Sequence, residues 1–242
     1  MQLIKTASFE LAIYAHGEKT SSSLALVLPG KLDTKDYPHM KNHVDYLSAR
    51  NYLALSFDPP GTWESPGGIE LYTMTNYLKA INELIEYFGD RPTVLMGHSR
   101  GGTMAMLAGS RNDRVTHIIA AMSHSSASGP DKRRVKGDVQ IEYRDTPPNN
   151  DTRKKEFDLP LNYFKDASQY DVLNALRHCM KPKLFFLGTK DTIVTPAEVR
   201  EDYAEAAEPK RLHELISDHD YRRHPHVIEE VNRVMGDFLD EN

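Results

Sequence analysis

A serine stands between two glycines at Gly97-His98-Ser99-Arg100-Gly101, the spacing Gly-x-Ser-x-Gly. Before it, Thr93-Val94-Leu95-Met96 is an apolar run with β-formers that reads as a buried strand. After it, Thr103 to Ala108 is rich in helix formers. A strand therefore passes into a helix through a turn with a serine at its tip. At the apex of so tight a turn the serine backbone is strained, and side chains on either side would collide, which glycine avoids. The Oγ is pushed out of the sheet, and the helix N-terminus behind it offers free N–H groups and positive potential. A serine hydroxyl is a poor nucleophile at neutral pH and needs a base. An imidazole titrates near working pH and can take the proton, and a buried carboxylate can fix its tautomer. The plainer alternative is a serine in a glycine-rich turn that merely caps the helix.

In this strand–turn–helix context the segment resembles the nucleophile elbow of the α/β-hydrolases. The resemblance implies an acid after the strand that follows the cap, and a histidine after the next strand. The turn Gly188-x-x-Asp191-x-x-Val194-x-Pro196 supplies Asp191, and Asp218-His219-Asp220 supplies His219. The order Ser99, Asp191, His219 is the one expected for that fold. Alternatives stay open. Asp191 could be an N-cap, although Thr195 and Pro196 are better placed. His224 is the rival base, and it flanks Pro225 together with His226. Asp218 and Asp220 compete as partners of the histidine.

The resemblance also implies two backbone N–H donors for an oxyanion. One follows the third strand, here in Pro29-Gly30-Lys31-Leu32-Asp33, and falls on Lys31. The family's usual lead is His-Gly; here it is Pro29-Gly30. The other falls on Arg100, directly after the serine. The Lys31 side chain either adds positive charge near the site or is a solvated lysine on a turn. The Arg100 side chain either holds a carboxylate, of the protein or of a substrate, or forms a surface salt bridge. Asp58, in Asp58-Pro59-Pro60-Gly61, is read as structural. Three residues are candidates for lining the pocket. Trp63 either walls it or anchors its loop. His98 in this fold usually points into the sheet packing. His124 follows a strand at the catalytic edge and either lines the pocket or is solvated.

The elements that must position these residues follow one rhythm. Residues 1 to 16 alternate and open the sheet in antiparallel fashion. Leu24 to Leu28 and Tyr52 to Phe57 are apolar strands. Tyr37 to Arg50 and Leu71 to Phe88 carry helical spacing. Val115 to Met122, Lys183 to Gly188 and Arg211 to Ile216 are further strands. Helices start at Pro196 and near His226. The pattern predicts an α/β-hydrolase fold with a mostly parallel central sheet and helices on both faces. Residues 123 to about 170 break it. Val139 to Tyr143 alternates, 146 to 150 turns, Arg153 to Leu159 returns, and Asn162 to Arg177 reads as helical. Insertions here form the cap in α/β-hydrolases, and a small hairpin cap in this position is similar to that of the bacterial feruloyl (cinnamoyl) esterases. The expectation is a single domain over 1–242 with a cap insertion at 123–170.

The chain has 242 residues, 39% hydrophobic and 27% charged, which fits a globular protein. A formal net charge of −5 argues against a nucleic-acid partner. The one cysteine, Cys179, excludes an intrachain disulfide. No basic stretch followed by an apolar one opens the chain, and no apolar run is long enough to span a bilayer. The default is a cytoplasmic protein. The expected activity is that of a serine hydrolase, a carboxylesterase acting on a small-molecule ester, with no metal or organic cofactor. Alternatives are a thioesterase or an amidase or peptidase on the same triad, or a non-catalytic binding protein on the hydrolase fold. Acyl specificity and the choice between monomer and homodimer stay open.

Overall fold

The computed structural model describes residues 2–89, 91–126, 129–148 and 150–241. Asn149, in the turn predicted at 146–150, lies outside the described residues, as do residues 127 and 128 within the predicted insertion. Eight described strands form the main sheet. They are β1 (Gln2–Lys5), β2 (Glu10–His16), β3 (Ser23–Leu28), β4 (Tyr52–Phe57), β5 (Thr93–His98), β6 (Val115–Ala121), β10 (Lys183–Gly188) and β11 (Lys210–Leu215). Their order across the sheet is β1-β2-β4-β3-β5-β6-β10-β11. From β4 to β11 every pairing is parallel, while β1 pairs β2 and β2 pairs β4 antiparallel. From β3 the chain steps outward to β4, and then returns past β3 to β5. Such a reversal of strand order opens a crevice at the carboxyl ends of the strands.

The strands alternate in which core they feed. Leu24, Leu26 and Leu28 of β3 join one apolar cluster, and Ala25 and Val27 join the other. The first cluster takes α2 (Met74–Tyr87), α3 (Arg100–Arg111), α4 (Asn162–Ala167), α5 (Val172–His178) and α6 (Pro196–Glu205). The second takes α1 (Pro38–Ala49) and α7 (Pro225–Glu241). Helices thus cover both faces of a sheet whose central strands are apolar along their length. Among the described residues no helix is long and apolar enough to cross a membrane.

The structure departs from the sequence pattern where side chains start or stop elements. The helix predicted from Leu71 begins at Met74, because Thr73 accepts the Asn76 N–H and caps it there. The helix predicted over 162–177 is two helices, since the Asp171 side chain accepts the Asn174 N–H and starts α5 afresh. Between β6 and β10 lies a second sheet of β7 (Val135–Lys136), β8 (Val139–Thr146) and β9 (Asn150–Pro160), paired antiparallel. This hairpin stands against the loops at the carboxyl end of the main sheet. Tyr37 donates to the Asp145 carbonyl at 2.8 Å, and Phe157 packs edge-on to Trp63 with centroids 5.6 Å apart.

Candidate active site

β5 ends at His98 and α3 begins at Arg100, so Ser99 alone carries the reversal. Its φ of 51° and ψ of −123° lie where residues with a side chain rarely sit. Both flanking glycines answer to close contacts. A Cβ on Gly97 would overlap the Gly101 carbonyl, and one on Gly101 would overlap the Leu28 carbonyl at the end of β3. Hydrogen bonds hold the turn: the Ser99 N–H donates to Ala121 O at 2.9 Å, and Ser123 Oγ donates to Ser99 O at 2.7 Å. Leu32, Trp63 and Met122, on the loops after β3, β4 and β6, also have positive φ. Backbone strain is gathered at this end of the sheet, as it is around sites that over-determine their geometry.

Three residues distant in sequence meet here. Asp191 is 3% exposed, on the turn after β10. Its Oδ1 accepts the N–H groups of Ile193 at 2.8 Å and Val194 at 2.9 Å. Its Oδ2 is 2.7 Å from Nδ1 of His219, and Nε2 of His219 is 3.0 Å from Ser99 Oγ. A carboxylate only accepts, so Nδ1 carries the proton and Nε2 is left to accept from the hydroxyl. Such a line can move a proton from Oγ to the imidazole while the carboxylate steadies the charge that forms. His224 stands apart, with Nε2 3.4 Å from Asp218 Oδ1, and Asp220 has Arg222 Nε at 3.7 Å. Thr195 and Glu198 close a capping box on α6, which leaves Asp191 free of that task.

The loop after β3 is pinned carbonyl by carbonyl. Tyr77 donates to Pro29 O at 3.0 Å, Arg144 Nε to Lys31 O at 2.8 Å, and Trp63 Nε1 to Leu32 O at 2.8 Å. The Leu32 N–H donates to Tyr72 Oη at 3.1 Å. The backbone N–H groups of Lys31 and Arg100 donate to no other described residue. For Arg100 this follows from its place at the start of α3, where helix N–H groups lack partners. Gly30 lies near Ser99: a Cβ added to it would stand 3.4 Å from Ser99 Cβ. Among the described residues these two N–H groups are thus without an acceptor, one in the loop after β3 and one directly after Ser99. The Lys31 ammonium reaches the hairpin, 2.6 Å from Glu142 Oε1. Burial pulls the Lys31 pKa below its ordinary value against the pull of Glu142. For Glu142 burial acts to raise the pKa, and Lys31 and Arg144 outweigh it, so its carboxyl stays below the usual range.

The remaining sequence candidates take different places. His98 is 2% exposed, and its Nε2–H donates to the His219 carbonyl at 2.9 Å, bracing the segment that carries the imidazole. Its Nδ1 lies 3.9 Å from Asp33 Oδ2. His124 is partly buried, burial lowers its pKa, and its carbonyl accepts from Thr103 Oγ1 at 2.9 Å. Trp63 ties the loop after β4 to the loop after β3 and to β9. Its other side faces a groove with Thr34, Glu64, Pro147 and Pro148, lined by none of Ser99, Asp191 and His219. Asp58 is fully buried and pins two loops, accepting from Thr34 Oγ1 at 2.7 Å and from the Lys35 and Glu64 N–H groups. Tyr72, Tyr77, Glu142 and Arg144, which hold the loop after β3, carry no motif that would have singled them out. Asp33 and Arg144 lie 3.4 Å apart across loop and hairpin, a pairing set by packing alone.

Comparison with known proteins places this geometry. Residues 26–161 match the family model for the alpha/beta hydrolase fold. No curated sequence matches the chain. Among solved structures, Est1E from Butyrivibrio proteoclasticus with ferulic acid bound is similar at TM-score 0.78 and 19% identity, over 100% of this chain and 98% of that one. The alpha/beta hydrolase GrgF from Penicillium sp. is similar at TM-score 0.79 and 16% identity, over 99% and 97%. The enol-lactonase from Burkholderia xenovorans is similar at TM-score 0.74 and 19% identity, over 99% and 100%. At these identities the structural likeness is one of fold, and with the family match over more than half its length the chain belongs to the α/β-hydrolase family.

Proposed function

We propose that the protein is a serine hydrolase that cleaves a small-molecule carboxylic ester through an acyl-enzyme. The observation that carries this reading is the line Asp191–His219–Ser99, at 2.7 and 3.0 Å, with the N–H groups of Lys31 and Arg100 unpaired among the described residues. Ser99 Oγ attacks the ester carbonyl as His219 Nε2 takes its proton. The carbonyl oxygen turns anionic against the N–H groups of Lys31 and Arg100, each worth roughly 3 kcal/mol of barrier. His219 then protonates the leaving alcohol, and water repeats the sequence on the acyl-enzyme. We read 1–242 as one domain and 123–170 as its cap. Est1E, seen with ferulic acid, and an enol-lactonase share the fold, which supports ester chemistry for it.

A fluorophosphonate probe tests the reading directly. Native protein is expected to be labelled at Ser99, and Ser99→Ala is expected to lose labelling and about 10⁴-fold or more of p-nitrophenyl ester turnover. Native protein that stays unlabelled under conditions that saturate a known esterase would return it to the class of binding proteins on a hydrolase fold. Labelling without ester turnover, joined to cleavage of acyl-CoA or aminoacyl amides, would move the activity to a thioester or an amide.

A further inference from the structure

The elbow places an arginine directly after the nucleophile, and its side chain runs to the start of α2. Arg100 is partly buried, and the polar contact of its side chain is Nη1 at 3.8 Å from the Met74 sulfur, a weak acceptor. Among the described residues no carboxylate lies within 4.0 Å of this guanidinium. The other cations around the loop after β3 are matched. Lys31 and Arg134 share Glu142, Arg144 meets Asp33, and Arg222 meets Asp145. A partly buried guanidinium loses water and is best compensated by a planar acceptor with two oxygens, which a carboxylate presents.

Direction follows from the order of the strands. His219 arrives from beyond β11, on one side of β5, and the Lys31 loop arrives from β3 on the other. A leaving alcohol must depart within reach of His219 Nε2. The acyl chain is then directed to the opposite side. Arg100 reaches that side too, because Met74 opens α2, and the neighbouring Tyr72 and Tyr77 hold the loop of residues 29–32.

We propose that Arg100 is a specificity residue that binds a carboxylate on the acyl chain, so that the preferred substrate is a half-ester of a dicarboxylic acid. The proposal rests on the ester reading of Ser99 and names its substrate class.

The experiment compares p-nitrophenyl hexanoate with the p-nitrophenyl half-ester of adipic acid, in which a carboxylate replaces the terminal methyl group. Both are assayed on native protein, Arg100→Gln and Arg100→Lys, and the readout is the ratio of kcat/KM for half-ester over hexanoate. The ratio is taken within each preparation, so incomplete folding or a shifted N–H at residue 100 cancels. It is expected to fall at least about tenfold in Arg100→Gln, the loss of one charged hydrogen bond, and less in Arg100→Lys, which keeps the charge without the fork. A ratio in Arg100→Gln equal to or above the native one overturns the Arg100 assignment and leaves the ester reading standing. Turnover of neither ester by native protein overturns both.

Discussion

Ser99 holds a pair of backbone angles that glycine adopts freely and other residues adopt at a cost of about 1–2 kcal/mol. The strain is the consequence of placing a hydroxyl at the point where the chain turns back over β3. Ser99→Ala and Ser99→Gly both delete the hydroxyl and its hydrogen bond to His219, and only the glycine relaxes the backbone. Ser99→Gly is therefore expected to be more stable than Ser99→Ala by about 1–2 kcal/mol in denaturant unfolding, with both inactive. Equal stabilities would show that the positive φ stores no strain. The same local sterics made this residue legible in the sequence, since a serine flanked by two glycines between strand and helix fits a tight reversal of the chain and little else. Asp191 and His219 were legible only through chain order and resemblance. For Trp63 loop anchoring was one of two readings left open, and His98 was read as packing into the sheet; what was not legible was the partner of each, a carbonyl of Leu32 and a carbonyl of the His219 segment.

At the scale of elements, the hairpin of β8 and β9 clamps the loop after β3. Arg144 on β8 donates to the Lys31 carbonyl at 2.8 Å and lies 3.4 Å from Asp33. That carbonyl fixes the orientation of the backbone next to the Lys31 N–H. Arg144→Gln removes the clamp and leaves Ser99, Asp191 and His219 untouched. It is expected to lower kcat about 10- to 100-fold, the scale of a small misplacement near the reacting atoms, while KM changes less than about threefold. Unchanged kcat in a cooperatively folding variant would show that the loop holds its shape without the hairpin. The sequence pattern located this hairpin by alternation, as it located the parallel strands by their apolar runs. It could not locate the clamp, because residues 31 and 144 meet only through tertiary packing. It also ran α4 and α5 together, since helical spacing persists across Ser168 to Tyr170 and only the Asp171 cap separates them.

At the scale of the molecule, polar rings fill the seam between the catalytic end of the sheet and the layer of α1 and α7. His39 and His43 of α1 are fully buried there with Tyr221, next to His98. Neither ring nitrogen of His39 has a partner among the described residues, and its ring faces His98, His43, Tyr37 and Tyr221. Burial, with His98, His43, Arg222 and His219 nearby, holds it well below its ordinary value. His43 bonds Asn232 at 2.6 Å and Tyr221 at 2.9 Å, and burial takes it from 6.5 down to about 4. A histidine depressed in the fold contributes stability that is complete above its unfolded pKa and is lost as pH falls through the folded one. Between about pH 6.5 and 4 the unfolded chain binds the extra proton, so stability falls with falling pH. For His43 alone, going from about pH 7.5 to about pH 5.5 removes on the order of 1 kcal/mol. Unfolded carboxylates titrate near pH 4, below that interval. His43→Gln is expected to be less stable than native protein at both pH values, yet to lose less between them, by on the order of 1 kcal/mol, as measured by denaturant unfolding. Equal losses would mean that His43 titrates normally in the folded protein. A smaller loss in the variant would make neutrality of this seam a condition of the fold that holds His219 in place, through Tyr221 two residues further along the chain.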